Sequence, residues 1–394
     1  MSLSSRAEQA IRPAGAGGQI AESGTARACK VRLSGVGKRY GAVTALHSTD
    51  LEVREGEFVT LLGPSGSGKT TMLNLIAGMT APTSGRVSID GRDVTDVPAN
   101  KRELGMVFQH YALMPHMTIF ENVAFPLRVR RRSRAEIDAE VAKALRLVRL
   151  PDLGARKPRE LSGGQQQRIA IARCLVYSPS IILMDEPLGA LDKKLREELQ
   201  LELKRLHREL GITVLYVTHD QEEALTMSDR IVLMNGARIE QMGPPEELYF
   251  RPRSLFAATF LGDSNILDGT VKSTGTVVEV ETAYGTFRSS EIEPGTAGVG
   301  DAVQILIRPE NFHTQPASAE RNDNRVTGQM VNSIAYGGVT KTFVRLSDDK
   351  VLVVQELTKA GRMTVEPGTP ATLSWNAGDG RILPPAKPAV SAAG

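Results

Sequence analysis

Three short stretches of this sequence have residue types spaced for work on a phosphate. Gly63-Pro64-Ser65-Gly66-Ser67-Gly68-Lys69-Thr70 matches the pattern G-x-x-x-x-G-K-[ST]. Glycines at 63, 66 and 68 let successive backbone N–H groups turn inward around an anion without Cβ clashes. The helix expected to follow adds its positive N-terminal end, with Thr71 in its first turn. In such a loop Lys69 reaches the β- and γ-phosphates of a nucleotide, and the Thr70 hydroxyl ligates Mg2+. Ile181-Ile182-Leu183-Met184-Asp185-Glu186 places two carboxylates at the end of an apolar run. Successive strand residues face opposite ways, so the two should do different jobs. Asp185 fits a Mg2+ ligand. Glu186 is then the candidate base that orients water towards the γ-phosphate. Leu161-Ser162-Gly163-Gly164-Gln165 is the third stretch: Ser162 suits an N-cap, and the N–H groups of Gly163 and Gly164 are free to bind an oxyanion. Taken alone it is a capped helix. His219, in Val217-Thr218-His219-Asp220, lies just beyond another apolar run, where doubly wound sheets place ligands. A lone histidine there is more often a cap or a core residue.

The elements around these residues follow from pattern. Leu51–Leu62 alternates, turns at Glu55-Gly56 and runs apolar into the glycine loop; Thr70–Gly78 reads as a helix ended by Gly78. Arg134–Leu150 carries Ile137, Val141, Leu145 and Val148 at helical spacing, and Gly163–Tyr177 is a further helix. Thr118 with Glu121 makes a capping box at the start of another. Ser180–Asp185 and Ile212–Val217 read as buried parallel strands, with a long charged helix over Leu191–Leu210 between them. Alternating strands and helices give an α/β phosphate-loop domain. Beyond residue 262 the texture changes to short runs separated by Gly, Asn and Asp: Ile266–Val271, Thr276–Phe287, Ala302–Ile307, Arg325–Ile334, Lys341–Leu346 and Val351–Leu357. That pattern predicts a small all-β barrel. The expected organisation is a disordered tail at 1–29, an ATPase domain at 30–262 with a helical subdomain about 110–165, a β domain at 263–383 and a flexible tail at 384–394.

The 394 residues carry a net charge of only +3, which gives no case for nucleic-acid binding. Cys29 and Cys174 are too few for a disulfide framework and fit a reducing compartment. Cys29 is assigned to the tail and Cys174 to inert core. No apolar run is long enough for a spanning helix, and no secretory signal is evident. The expectation is a cytoplasmic protein that meets a membrane only through a partner. The densest charge run, Arg128, Arg130, Arg131, Arg132 and Arg134, reads as a solvated helix face, with attraction to anionic lipid as the alternative.

Two phosphate-binding elements with one carboxylate pair form a composite site: either the chain folds them together or two chains share them. The set resembles the ABC ATPases. In that resemblance Tyr40, in Lys38-Arg39-Tyr40-Gly41, is the aromatic that stacks on adenine. Gln109, in Val107-Phe108-Gln109, links Mg2+ and the attacking water to the permease contact. Ser162–Gln165 covers the γ-phosphate of ATP bound to the other subunit. Asp192, in Leu188-Gly189-Ala190-Leu191-Asp192, belongs to a loop crossing the dimer interface, and His219 contacts the γ-phosphate. The resemblance implies ATP and Mg2+ as cofactors and a head-to-tail dimer with two ATPs at its interface.

Residues 31 to about 383 resemble, more narrowly, the ATPases of bacterial importers fed by a periplasmic solute-binding protein. Tyr111-Ala112-Leu113-Met114-Pro115-His116-Met117-Thr118 looks like the segment that helps receive a coupling helix of the permease. Phe260–Leu267, Ile307-Arg308-Pro309-Glu310 and Leu373-Ser374-Trp375 resemble the appended oligosaccharide-binding (TOBE-like) barrel of these subunits, and Gly262-Asp263-Ser264-Asn265 looks most like the polyamine branch. The implied role is ATP-driven import of putrescine or spermidine, from the cytoplasmic face of the bacterial inner membrane. Ferric iron, sulfate and sugar importers are alternatives. A non-transport ABC ATPase that gates a partner protein is the alternative of a different class; neither the coiled-coil insertion nor the tandem ATPase half of such proteins is visible. The C-terminal barrel argues against an exporter.

Overall fold

The computed structural model describes residues 27–189, 191–293, 295, 297–315, 323–358 and 366–384. The tails expected before residue 27 and after 384 lie outside them. Three strands open the fold, β1 (Cys29–Tyr40), β2 (Val43–Arg54) and β3 (Phe58–Leu62), and lead to helix α1 (Lys69–Ala77). Strands β4 (Ser84–Ile89), β5 (Arg92–Asp93) and β6 (Gly105–Val107) follow, then helices α2 (Ile119–Val129), α3 (Arg134–Leu147) and α4 (Gly163–Leu175). The chain continues through β7 (Ile181–Asp185), α5 (Lys193–Leu210), β8 (Thr213–Thr218), α6 (Gln221–Met227), β9 (Arg230–Asn235), β10 (Arg238–Gly243), α7 (Pro245–Phe250) and α8 (Leu255–Phe260).

The central sheet has the order β10-β9-β3-β8-β7-β6, parallel except at β10. Its strands alternate between two cores. Val59, Leu61, Ile181, Leu183, Leu215 and Val217 pack towards α1 and the antiparallel sheet β2-β1-β4-β5. Phe58, Ile182, Met184, Val214 and Tyr216 pack towards α2 to α5. A sheet buried on both faces needs continuous apolar strands, which is why these runs read as they do.

From residue 265 the chain is all β. Strands β11 (Asn265–Ser273), β12 (Val278–Thr282), β13 (Gly285–Ser289), β14 (Glu291–Ile292), β15 (Ala302–Ile307), β16 (His313–Gln315), β17 (Asn324–Tyr336), β18 (Val339–Arg345), β19 (Val351–Leu357), β20 (Pro370–Trp375) and β21 (Gly380–Leu383) form two sheets around one core. Trp375, fully buried, meets Phe287 and Phe312 edge-on at that core. Arg308 joins this unit to the helices before it. Its guanidinium donates to the Ala258 carbonyl (2.9 Å), Ser264 Oγ (2.7 Å) and the Tyr249 carbonyl (2.8 Å), and it lies 4.3 Å from the Tyr249 ring centroid.

Four readings change. Cys29 is not tail; it opens β1, opposite Arg54 of β2. The arginine run is not one helix face: Arg128 lies in α2, Arg134 opens α3, and Arg130, Arg131 and Arg132 fall at the turn between them. Arg130 ends α2, Arg131 takes a left-handed φ of 56°, and Ser133 caps α3 through a box with Glu136. All five arginines are exposed, as expected, and Arg130 lies 3.9 Å from the Tyr177 ring centroid. Thr276–Phe287 is a hairpin, β12 and β13, rather than one strand. The long helix starts at Lys193, because Asp192 takes its N-cap.

Cys174 is buried, and burial pushes its thiol up to about 12. Near pH 8 only Cys29, partly exposed, is predicted to react with a thiol reagent, giving one equivalent in the native protein and two after denaturation. Two equivalents without denaturant would contradict the burial of Cys174.

Candidate functional site

The parallel strands deliver their loops to one edge. β3, buried throughout, ends at Leu62, and Gly63 follows directly. A Cβ on Gly63 would lie 2.2 Å from the Met234 carbonyl oxygen, so only glycine fits between loop and sheet. Gly68, the residue before α1, is left-handed at φ 97° and brings no side-chain cap; no acidic residue occupies the first turn of α1. The N–H groups at that helix end are therefore left for an external acceptor. Lys69 is buried and folds back into the loop: its ammonium donates to the carbonyls of Gly63 (2.8 Å) and Pro64 (2.9 Å). Burial lowers its pKa, while Glu186 and Asp185 pull it back up. Ser67 Oγ is buried with no hydrogen-bond partner among the described residues. Ser65, Gly66 and Thr70 are exposed; Pro64 and Thr71 are partly covered.

The carboxylates at the end of β7 diverge, as their alternation requires. Asp185 turns to α1 and accepts from Thr70 Oγ1 at 3.2 Å. Burial raises its pKa, with the Glu186 charge acting in the same sense and Thr70 and Lys69 opposing. An approaching cation would reverse that shift. Glu186 leaves the strand at φ 43°, a left-handed conformation that costs about 1–3 kcal/mol in a residue with a side chain. Its N–H still donates to the Val217 carbonyl of β8 (3.0 Å). In this pose Glu186 Oε1 lies 3.2 Å from His219 Nδ1, and Oε2 accepts from Gln109 Nε2 at 3.4 Å. Gln109, Glu186 and His219 thus converge from the ends of three neighbouring strands, β6, β7 and β8.

Other candidates stand apart. Tyr40 is 54% exposed at the end of β1, opposite Val43, with Lys38 Nζ 4.8 Å from its ring centroid. Its strand partner β2 passes the glycine loop, since the Ala45 carbonyl lies 2.9 Å from where a Gly68 Cβ would sit. Ser162 and Gln165 form a capping box on α4: Gln165 N–H donates to Ser162 Oγ (3.4 Å), and Ser162 N–H to Gln165 Oε1 (3.0 Å). Gly163 and Gly164 face Leu191 and Leu195. Asp192 caps α5 by accepting from Leu195 N–H (3.0 Å). Among the described residues no hydrogen bond or ion pair joins 162–165 to 63–70.

The sequence did not point to the groups that hold these loops. Arg173, in the apolar stripe of α4, donates to the carbonyls of Tyr111 and Ala112, both at 2.7 Å. Both acceptors are left-handed, so the segment after Gln109 is pinned in an unusual turn. A cation inside an apolar helical pattern was the available signal. Asn122, fully buried, accepts from the Met114 N–H (2.7 Å) and donates to the Thr118 carbonyl (3.0 Å) of the same segment. Arg196 gave no signal, being one charge among many on α5.

Residues 46–189 match the family model of the ABC transporter, and 305–383 that of the TOBE domain. The chain is 47% identical over 360 residues to the spermidine/putrescine import ATP-binding protein PotA of Thermobifida fusca, covering 90% of this chain and 93% of that one. The protein of the same name from Vibrio cholerae is 44% identical over 326 residues, covering 83% and 86%. Among solved structures, the dimeric structure of a bacterial ABC transporter cassette matches at TM-score 0.50 and 39% identity, covering 55% of this chain and 98% of the other. cbiO1 from Clostridium perfringens, part of an ABC transporter complex, matches at TM-score 0.52 and 27% identity, covering 56% and 90%. With nine-tenths of its length aligned to such relatives, and a glycine loop shaped for the phosphates of ATP, the chain belongs to the ATP-binding subunits of the ABC transporters and is an ATPase with a TOBE domain.

Proposed function

We propose that this chain hydrolyses ATP to drive polyamine import, with spermidine or putrescine as solute, and that Glu186 is the base. The convergence of Gln109 and His219 on Glu186 carries the catalytic reading. The names of relatives 44–47% identical along most of the chain support the solute.

Each group has a task its geometry suits. Lys69 exchanges its two loop carbonyls for oxygens of the β- and γ-phosphates, so an ammonium already desolvated meets the charge without searching for it. The N–H groups of 66–71 cradle the same phosphates. Thr70, Asp185 and Gln109 would hold Mg2+, which when bound neutralises phosphate charge. Glu186 accepts a proton from the water it orients, and His219 holds the other side of that carboxylate until the γ-phosphate arrives. Tyr40 offers an exposed face to adenine. Ser162–Gln165 and Asp192, unconnected to the glycine loop of their own chain, act on ATP held by a second copy. The segment Tyr111–Thr118, fixed by Arg173 and Asn122, is the contact for a membrane permease. No helix among the described residues is long and apolar enough to cross a membrane, so attachment to the inner membrane runs through that permease.

Glu186→Gln is predicted to keep ATP affinity, lose about 10²–10⁴-fold in turnover and accumulate as a nucleotide-bound dimer. Undiminished hydrolysis would remove Glu186 as the base. Ser162→Arg should leave ATP binding to the monomer intact and stop hydrolysis, beyond the roughly 1 kcal/mol lost from the α4 cap; a normal rate would refute the shared site. The solute is checked in proteoliposomes carrying the permease and its binding protein. Spermidine or putrescine should enter and stimulate ATP turnover, whereas uptake of sugar, sulfate or ferric iron alone would reject polyamine import.

A further inference from the structure

Arg196, in the first turns of α5, bridges two separate pieces of chain, the loop before α5 and the start of α6. Nη1 donates to Asp220 Oδ2 at 2.8 Å and Nη2 to the Leu191 carbonyl at 3.1 Å. Nε lies 3.8 Å from Glu223 Oε1, with no hydrogen-bond partner of its own. A guanidinium presents its donors in one rigid plane, so these three contacts fix one another's relative positions.

Both ends of that fork lead to Glu186 and His219. Asp220 follows His219 directly. Its Oδ1 accepts the N–H groups of Glu222 (2.8 Å) and Glu223 (3.2 Å), and its own N–H donates to Thr218 Oγ1 (3.0 Å). His219 is thus flanked by two anchored residues. Leu191 ends the turn that begins at Glu186: Gly189 N–H donates to the Glu186 carbonyl (3.3 Å) and Leu191 N–H to the Leu188 carbonyl (3.2 Å). The same arginine therefore holds the far side of the two loops whose near sides meet at the Glu186–His219 contact.

Charge compensation alone does not account for it. Glu223 is 2% exposed but already accepts from Tyr216 OH (2.8 Å) and Thr218 Oγ1 (2.7 Å), and it sits in the first turn of α6. Asp220 keeps its two backbone donors without Arg196. What the arginine adds to the Glu186–His219 contact and the Glu186 N–H to Val217 carbonyl bond is a second tie between the two loops, on their far side.

We infer that Arg196 is a positioning residue for ATP hydrolysis, holding the Glu186 loop and the His219 loop in register. The inference rests on the proposed roles of Glu186 and His219. The glycine loop, Lys69 and Tyr40 belong to other elements, so ATP affinity should not depend on it.

The test is steady-state hydrolysis by the full-length protein, with equilibrium ATP binding measured in parallel, for Arg196→Met, Arg196→Lys and Glu186→Gln. Arg196→Met should lower kcat about tenfold with KM and ATP affinity unchanged. Arg196→Lys should lie between it and the parent, because one ammonium reaches Asp220 or Leu191 but cannot fork to both. A structural role would lower the melting temperature and leave the kcat of folded protein intact. Unchanged kcat in both arginine variants overturns the inference, as does ATP affinity falling in proportion to kcat. If Arg196→Met fails to fold, Arg196→Lys decides on the same criteria. Glu186→Gln separates the two levels: loss of turnover there with normal arginine variants defeats the positioning role alone, and normal turnover there defeats both.

Discussion

A parallel sheet buried on both faces has no room for charged side chains along its strands, and the site depends on that exclusion. β3, β7 and β8 are buried along their length and carry no charged residue before Asp185, the last of β7; their Thr60, Thr213 and Tyr216 hydroxyls are hydrogen-bonded inside the fold. Charged groups are displaced to the strand ends, and parallel strands place those ends on one edge. The glycine loop, Asp185, Glu186 and His219 are gathered there by the same burial that holds the sheet together. Strand parity then sorts the carboxylates. Asp185 continues the face of Ile181 and Leu183 and meets α1, whereas Glu186 leaves that alternation by a left-handed turn and meets Gln109 and His219.

The edge is electrostatically uneven. Two adjacent carboxylates stand near one partly desolvated ammonium, and Lys69 satisfies itself with backbone oxygens instead of an ion pair. The pKa of Asp185 is raised, by burial first and by the neighbouring Glu186 charge in the same sense, against the pull of Thr70 and Lys69. The arrangement is therefore under-charged on the positive side and open to anion on the helix end, and a metal-bound polyphosphate matches both needs at once.

Much of this was legible in the sequence, and the reasons differ by feature. Glycine spacing, the apolar strands and the capping residues Thr118 and Ser162 act over a few positions, so pattern alone locates them. The arginine turn was misread because charge density carries no backbone geometry; what breaks the helix is the left-handed Arg131 and the Ser133 cap. The β12–β13 turn was missed because Ala283 and Tyr284 are not turn-forming residues by type. Arg173, Arg196 and Arg308 were invisible as ties, since each acts on carbonyls or carboxylates far along the chain or across a fold that spacing does not encode.

Arg308 also bears on how such proteins are assembled from parts. Its donors end on Tyr249, Ala258 and Ser264, so α7, α8 and the segment after them are wired to a strand end of the β unit rather than only to the ATPase core before them. An exchange of C-terminal units between relatives at the point where the texture of the sequence changes would cut this fork, leaving a guanidinium and several carbonyls facing each other without a matched partner. Leu248, Ala257 and Leu261 also pack with Leu62, Ala224, Ile231 and Leu233 of the ATPase core, so the last helices serve both units and a seam on either side of them cuts built contacts.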